Sequence, residues 1–579
     1  MGLASQTLSA QMLMDGEWAA RYHEDQVERI PGPDLGDYLG LPLNDAARLK
    51  ADSWSASRLT LPEEQCRVHV APYIYRGPML FRMWQEKDPE TQQVVAIRNF
   101  LGTYSQNRTI WMDGRPHPPA WAPHTWMGFS TGKWEGDILS VYTTHIKQGW
   151  VRRNGTPQSD AATMMEHFIR HGDIMTHVTI LTDPVYLTEP LIKTENFVLD
   201  LHATNGQWVY HCRYVDEIEG RKKGQVDNYL PGENPFLKEF SDRFKLPYEA
   251  VRGGAETMYP EYKRAMTASK KGAVGKGRVV PVTTVPDVEV TPVQGNVYLI
   301  AGAGGNMLLQ TGEQGTLLVD TGSAWASAKV LAAIQKTMKA PIRWVLNTNA
   351  DEDHAGGNFG VTSLSGTSRK VELTNTPFGT AKEAAEFVAR EEVLNRMSKV
   401  VNGKTMYPSD AWPTETYANG IDEIYLNGEA VQMIHAPNAH TDGDSLVYFR
   451  KSDVIATGGL FDSDRYPVID VANGGSINGI IDGLNHILDI TVPAYSQEGG
   501  TMVIPGRGRI CDEADVVEYR DMVTIVRDRI QAMIKKGMTL DQIQAARPTL
   551  DYDPLYGSTS GDWTTDQFVE AAYRSLVKK

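Results

Sequence analysis

The sequence predicts an α+β protein of two domains: an antiparallel β-barrel or sandwich, then a domain in which strands alternate with helices. Three observations predict this. Short apolar strands separated by Asp-Gly, Gly-Asp and Asn-Gly turns fill the region from Arg67 to Glu217, the pattern of an antiparallel all-β unit. The basic, glycine-rich stretch Ala268–Gly277 reads as a solvated tether. From Val297 onward, strand patterns alternate with helical ones. The implied boundaries are 1–262 for the first domain, 263–288 for the linker and 289–579 for the second.

Taken in order, the first residues are polar, with a turn at Pro31-Gly-Pro33 and an amphipathic helix over Asn44–Ser53. Strands are predicted at Val95–Phe100, Thr109–Met112, Ile138–Thr144, His177–Leu181 and Trp208–Cys212. Trp84, Trp111, Trp121, Trp126, Trp134 and Trp150 read as core aromatics, although a barrel lined with them would also suit a flat apolar ligand. His124, His145, His167, His171 and His177 lack ligand spacing and read as surface or hydrogen-bonded core residues. Residues 220–266 look helical and connective. In the second domain, Gly302–Gly305 joins strand to strand, so it reads as a tight hairpin rather than a phosphate loop. Helices are predicted at Ala324–Lys339, Ala381–Val401, Glu513–Lys536 and Thr564–Lys578.

Composition narrows the function classes. A chain of 579 residues with 41% hydrophobic and 22% charged residues exceeds a single core. Its net charge of −15 argues against a general nucleic-acid binder. No apolar run reaches the length of a membrane span. The start Gly2–Ala10 lacks the basic end and long apolar core of a complete signal peptide. The expectation is a periplasmic or secreted protein after signal removal, with a cytoplasmic one as the alternative. Cys66 and Cys212 flank the β-rich region and are candidates to staple it, whereas Cys511 reads as a buried, inert thiol. Oligomeric state is open.

Chemistry concentrates in Asn347-Thr-Asn-Ala-Asp-Glu-Asp-His-Ala-Gly-Gly-Asn358, which follows the apolar run Trp344–Leu346. A buried strand ends where the polar cluster begins, and Gly356-Gly357 permits a tight return. Carboxylates and imidazole at a strand end, here Asp351, Asp353 and His354, are the donors that hold cations. They equally suit a solvated acidic turn capping a helix.

The segment resembles the signature of the metallo-β-lactamase superfamily, His-x-His-x-Asp-His followed by Gly-Gly-Asn, with Asn349 and Asp351 in place of the leading histidines. Further landmarks resemble the family in its own order. Gly315–Gly322 is similar to the preceding strand and turn, and Ala439–Asp444 to the segment of the third histidine, His440. Ala456–Phe461 carries Gly459 at the position of the bridging aspartate, and Val503–Gly508 carries Arg507 at that of the last histidine. The resemblance implies an αββα sandwich, with two sheets between helical layers, and hydrolysis of a small molecule. In the first domain, Gly128–Asp137 and the stretch from Gln158 to Glu166 resemble a bacterial β-domain of unassigned function.

The resemblance also implies a degenerate metal site. Glycine offers no donor and arginine is a permanent cation that cannot ligate, so a zinc pair is not expected. Arg507 reads as an organic charge replacing the metal charge, paired with Asp353 or Asp351. A single divalent ion at Asn349, Asp351 and His440 remains open, and this set leans to oxygen-preferring metals such as magnesium, calcium or manganese. Catalytic candidates are Asp353 or His354 as base, Arg507 for oxyanion charge and Tyr466 as a further acid. Asn349, His440 and Trp412 are candidate substrate contacts. The expected function is a hydrolase-like enzyme with a metal-free site acting on a small cyclic or aromatic ester or lactone. The alternatives are a metal-independent lyase, isomerase or cyclase on the same scaffold, and a non-catalytic ligand-binding paralogue.

Overall fold

A computed structural model describes residues 12–21, 32–38, 40–57, 60–76, 80–201, 220, 222–262, 287–367, 384–494 and 499–577. The chain divides into two compact units, Met1–Val280 with Leu550–Leu555, and Pro281–Thr549 with Tyr556–Lys579. The predicted strand Trp208–Cys212 and the basic stretch Ala268–Gly277 lie outside the described residues.

The first unit holds β1 (Gly16–Ala20), β2 (Phe81–Lys87), β3 (Val94–Leu101), β4 (Gln106–Trp111), β5 (Phe129–Glu135), β6 (Ile138–Thr144), β7 (Gly149–Arg152), β8 (Thr156–Gln158), β9 (Thr163–His171), β10 (Ile174–Thr182) and β11 (Leu191–Leu199). All but β7 and β8, which pair with each other, close into a barrel in the order β1-β11-β10-β9-β6-β5-β4-β3-β2. Neighbours are antiparallel except β4 and β5. Register is set by tight turns: His171 faces Ile174 across Gly172-Asp173, and Glu135 faces Ile138 across Gly136-Asp137, the loop length that matches strand twist. Closure removes the sheet edges that would otherwise invite pairing with other chains.

Alternation along these strands buries Phe81, Met83, Ile97, Leu139, Phe168 and Phe197 in one core. Set among them is a polar layer that the sequence reading left as scattered histidines and charges. Arg108 is 1% exposed and places its guanidinium on both carboxylate oxygens of Glu166 and on the hydroxyls of Tyr75, Ser130 and Thr143. His177 adds a bond from Nε2 to Glu166 Oε1 at 2.9 Å. Burial pushes the Glu166 carboxyl up, but the Arg108 charge outweighs it and holds the group down at about 2. Cys66 is disulfide-bonded; Cys212 lies outside the described residues. The expected helix appears as Asp45–Ser53, with the Asn44 side chain accepting from the Ala47 N–H.

The second unit is a two-sheet sandwich. One sheet runs in sequence order through β12 (Glu289–Gln294), β13 (Val297–Ala303), β14 (Gly305–Gln310), β15 (Thr316–Val319), β16 (Ile342–Leu346), β17 (Glu386–Arg390) and β18 (Glu415–Tyr417). The other runs through β19 (Ile421–Leu426), β20 (Glu429–His435), β21 (Ser445–Phe449), β22 (Val454–Ala456), β23 (Met502–Ile504) and β24 (Cys511–Asp512). Helices Ser327–Thr337 and Asn358–Ser365 bury Val330, Ile334 and Val361 against Leu309, Leu318, Val345 and Phe387 of the first sheet. Ile477–Ile490 and Glu513–Lys535 are the long helices that follow, the second opened by a capping box at Asp512 and Asp515. Gly302–Gly305 is the β13–β14 hairpin, with Ala303 paired to Gly305. Cys511 is a buried thiol outside any disulfide.

One predicted helix is corrected. The described part of Ala381–Val401 opens with the strand β17, and helix begins only at Glu391, ending at Ser398. Phe387, Val388 and Ala389 are buried between parallel neighbours. A short run buried on both faces has no alternation to distinguish it from helix.

Candidate functional site

The site is assembled from loops that leave the ends of β15, β16, β20, β22 and β23. Parallel strands deliver their chain ends to one edge of a sheet, so residues far apart in sequence converge there. Asp320, just past β15, anchors the loop after β16. Its Oδ1 accepts the Thr348 N–H at 2.8 Å, while Oδ2 accepts the Thr348 hydroxyl at 2.7 Å and meets His354 Nδ1 at 2.8 Å. Asp320 adopts φ +62°, a left-handed conformation that aspartate tolerates better than most residues. Asn347 and Asn358 exchange side-chain amide bonds of 3.1 and 2.8 Å, closing the loop's base.

The candidates then fall into two charged groups. In the first, Asn349 accepts the Asp351 N–H at 2.8 Å, Asp351 meets His440 Nε2 at 3.1 Å and Arg396 Nη2 at 2.8 Å, and His440 Nδ1 meets Asp444 at 3.2 Å. In the second, Arg507 donates to Asp353 Oδ2 from Nε at 3.1 Å and from Nη2 at 2.7 Å. The turn carrying Arg507 is held by Asn306 of the glycine hairpin, whose Nδ2 donates to the carbonyls of Pro505 and Gly508 at 3.0 and 3.1 Å. Asp353, His354, Arg507, Asn349, Asp351 and His440 are thus gathered as the sequence suggested.

Tyr466 and Trp412 are placed otherwise. Tyr466 is 1% exposed, donates its hydroxyl to the Thr549 carbonyl at 3.1 Å and stacks on Phe568 at 4.6 Å. It is a core residue, because its ring is worth more against aromatics than in a polar cleft. Trp412 gives its indole N–H to the Tyr407 carbonyl at 3.0 Å and packs on the cluster of Ala350, Val393 and Met397. It buttresses the loop from behind. Sequence reasoning gave no role to Asp320 or Arg396, and considered Asp462 or Asp464 only as a replacement for the bridging carboxylate absent at Gly459. Asp320 had a signal, an acidic residue closing an apolar strand before Thr-Gly; Arg396 sits on an ordinary-looking helix and had none.

The donor set fits the family's zinc pair poorly. At position 459 an added Cβ would lie 2.7 Å from His440 Nδ1, so the imidazole occupies the space a bridging side chain would need. Asp353 is engaged by the Arg507 guanidinium, and among the described residues no group of three or more His, Cys, Asp or Glu is arranged to hold a metal ion.

Charge is balanced internally. Burial disfavours the His354 cation, but Asp353 and Asp320 outweigh it and push the imidazole up to about 9. Burial likewise opposes the charge on His440, and Asp444 and Asp351 overcome it, holding that histidine well above its usual value. Asp353 is raised by burial yet held below the usual carboxylate range by His354 and Arg507. Both histidines are therefore cations near neutrality. A histidine near 6.5 when unfolded and raised to about 9 when folded contributes stability that is complete below the first value and lost as pH rises through the second. Chemical denaturation is expected to show the second unit losing on the order of 3 kcal/mol between pH 7 and pH 10. The loss shrinks in His354→Asn; an alkaline limb that is flat in the wild type would contradict the charge assignment.

Residues 290–476 match the family model described as the metallo-beta-lactamase superfamily. Similar solved structures include the stereoselective inverting sec-alkylsulfatase Pisa1 from Pseudomonas sp., with 15% identity, a TM-score of 0.39 and 50% of each chain covered. A metallo-beta-lactamase from Pontibacter korlensis has 16% identity and a TM-score of 0.32, covering 41% of this chain and 99% of that one. The DIM-1 metallo-beta-lactamase has 17% identity and a TM-score of 0.31, covering 41% and 97%. The chain spans about half the length of the alkylsulfatase. Among curated proteins none matches. The carboxy-terminal domain, over residues 290–476, belongs to the metallo-beta-lactamase superfamily.

Proposed function

We propose that the carboxy-terminal domain is a metal-independent hydrolase of small cyclic or aromatic esters or lactones. Superfamily membership supports hydrolysis, since its members are generally hydrolases. The observation that carries the metal-independent part is the Arg507–Asp353 pair, a fixed organic cation at a position where relatives carry a metal-binding histidine. Arg507 is 31% exposed and Asp353 17%, so a substrate oxygen can reach the guanidinium without opening the core.

In this reading Arg507 and the His354 cation face the carbonyl oxygen and stabilise the negative charge that develops there. His354 Nδ1 is tied to Asp320 at 2.8 Å, which leaves Nε2 as the ring edge that would face the substrate. A proton at that edge is available to the oxyanion or the leaving group. Asp353 orients the guanidinium. Asn349 accepts the Asp351 N–H and so steadies the neighbouring His440–Asp351 pair. The disulfide at Cys66 supports an oxidising compartment, and we place the protein outside the cytoplasm.

Protein purified without added metal and dialysed against a chelator is expected to keep its full rate on 4-nitrophenyl acetate and dihydrocoumarin, with less than stoichiometric metal by elemental analysis. Loss of the rate on chelation and its return with one divalent ion would refute the metal-independent reading.

A further inference from the structure

A hydrolase without a metal-bound hydroxide needs a side chain to take the proton from water. The groups closest to the Arg507 pair are unsuited to that. His354 and His440 are cations held on aspartates, Asp353 is engaged by Arg507, and Asp462 receives Arg465 Nε at 2.6 Å. Asp464 is different: its Oδ1 is buried and has no hydrogen-bond partner among the described residues.

Its placement follows from how two loops are zipped together. Asp462 bridges to Arg507, the Ser463 N–H donates to the Arg507 carbonyl at 3.0 Å, and the Arg509 N–H donates to the Ser463 hydroxyl at 3.0 Å. The Gly508 side of the turn lies against the same segment; a Cβ there would sit 2.0 Å from the Ser463 hydroxyl and 3.5 Å from the Asp464 nitrogen. Gly508 also has φ +98°, which other residues rarely adopt, so the close approach depends on glycine. The register therefore sets Asp464 beside the residue that carries the fixed cation.

We propose that Asp464 is the general base of this site, taking the place of the metal that relatives use to activate water. This rests on the hydrolytic reading of the domain. In the step, a water O–H bond breaks and its proton passes to Asp464 Oδ1. The water oxygen forms a bond to the ester carbonyl carbon, and the carbonyl π pair moves to the oxygen facing Arg507 and His354. When the tetrahedral intermediate collapses, the bond to the leaving oxygen breaks and that oxygen takes a proton from His354. The proton on Asp464 returns to His354 through solvent, restoring both groups.

The electrostatics agree with the geometry. Burial and the neighbouring Asp462 raise the Asp464 carboxyl to about 6, against the lowering pull of Arg465 and Arg507. A base in that range is mostly ionised at pH 7 yet holds a proton far better than an exposed aspartate. The charged groups around it are Asp462 and Arg465 on its own segment, Arg507 from the facing turn, and Asp353, which acts on Arg465. Tyr519, from the long helix, donates its hydroxyl to the Arg465 carbonyl at 3.0 Å.

The test uses the full chain and the rate on 4-nitrophenyl acetate from pH 4.5 to pH 9 in wild type, Asp464→Asn and Asp464→Glu. Wild-type kcat is expected to rise through an apparent pKa near 6 to a plateau and to fall again towards pH 9 as the His354 cation loses its proton. Asp464→Asn is expected to lose roughly 100-fold or more in kcat, with KM within about twofold and the acid limb abolished. Asp464→Glu keeps the limb at a reduced rate, and added formate restores part of the Asp464→Asn rate, which a purely structural role would not allow. An active wild type with an equally active Asp464→Asn variant overturns the base assignment and leaves the hydrolytic reading standing. A wild type inert on all esters and lactones overturns both. If Asp464→Asn fails to fold, the glutamate variant decides: an unchanged rate and an unchanged acid limb overturn the assignment.

Discussion

Arg507→Met is expected to lower kcat by about 10²–10³-fold on any ester the wild type hydrolyses, the cost of removing one preorganised donor from a developing oxyanion. The reasoning is electrostatic. The guanidinium is held by two bonds from Nε and Nη2 to a single oxygen of Asp353, at 3.1 and 2.7 Å, and its turn is fixed by Asn306. It reorganises little when charge appears, which is what makes a fixed cation effective. Arg507→Lys keeps the charge but loses the planar fork, so an intermediate rate is expected. Guanidinium ion added to the methionine variant should restore part of the rate. A methionine variant with wild-type kcat would remove Arg507 from the chemistry and reduce its pairing with Asp353 to a structural ion pair.

Arg108→Met is expected to destabilise the barrel by about 3–5 kcal/mol, because it strands the buried Glu166 carboxylate without its partner. For a unit of this size that is a fall of roughly 10 °C in the first unit's melting transition. The magnitude comes from what is left behind rather than from the bond removed. Glu166 is 0% exposed, and its charge is tolerated only because the guanidinium and His177 surround it. Arg108→Met combined with Glu166→Gln should therefore recover part of the loss, since the amide carries no charge to bury. If the double variant is no more stable than the single one, the ion pair is not the source of the cost, and lost packing of the Arg108 stem becomes the explanation.

Much of the fold was legible from particular residues. The Gly136-Asp137 turn separated two strands that pair across it, and the amphipathic pattern of Asn44–Ser53 marked a helix that the structure begins at Asp45, after the Asn44 cap. β17 was not legible: Phe387, Val388 and Ala389 carry no alternation once both faces are buried. At the site, Asp353, His354, His440 and Arg507 were found by their order along the chain. Tyr466 was misjudged because proximity in sequence to Gly459 does not say which way a ring turns, and packing on Phe568 decided it.

By itself, the sequence determined the residue types available at each position: a glycine at 459, an arginine at 507, and carboxylates enough to balance four cations. Those facts are chemical and need no coordinates. Only the tertiary structure decided which carboxylate meets which cation: Asp353 with Arg507, Asp351 with His440 and Arg396, Asp320 with His354. It likewise decided that Asp464 keeps an oxygen without a partner among the described residues. The physical reason is that ionic and hydrogen-bond interactions act over a few ångströms, whereas these partners lie on separate loops whose approach is set by the packing of two sheets.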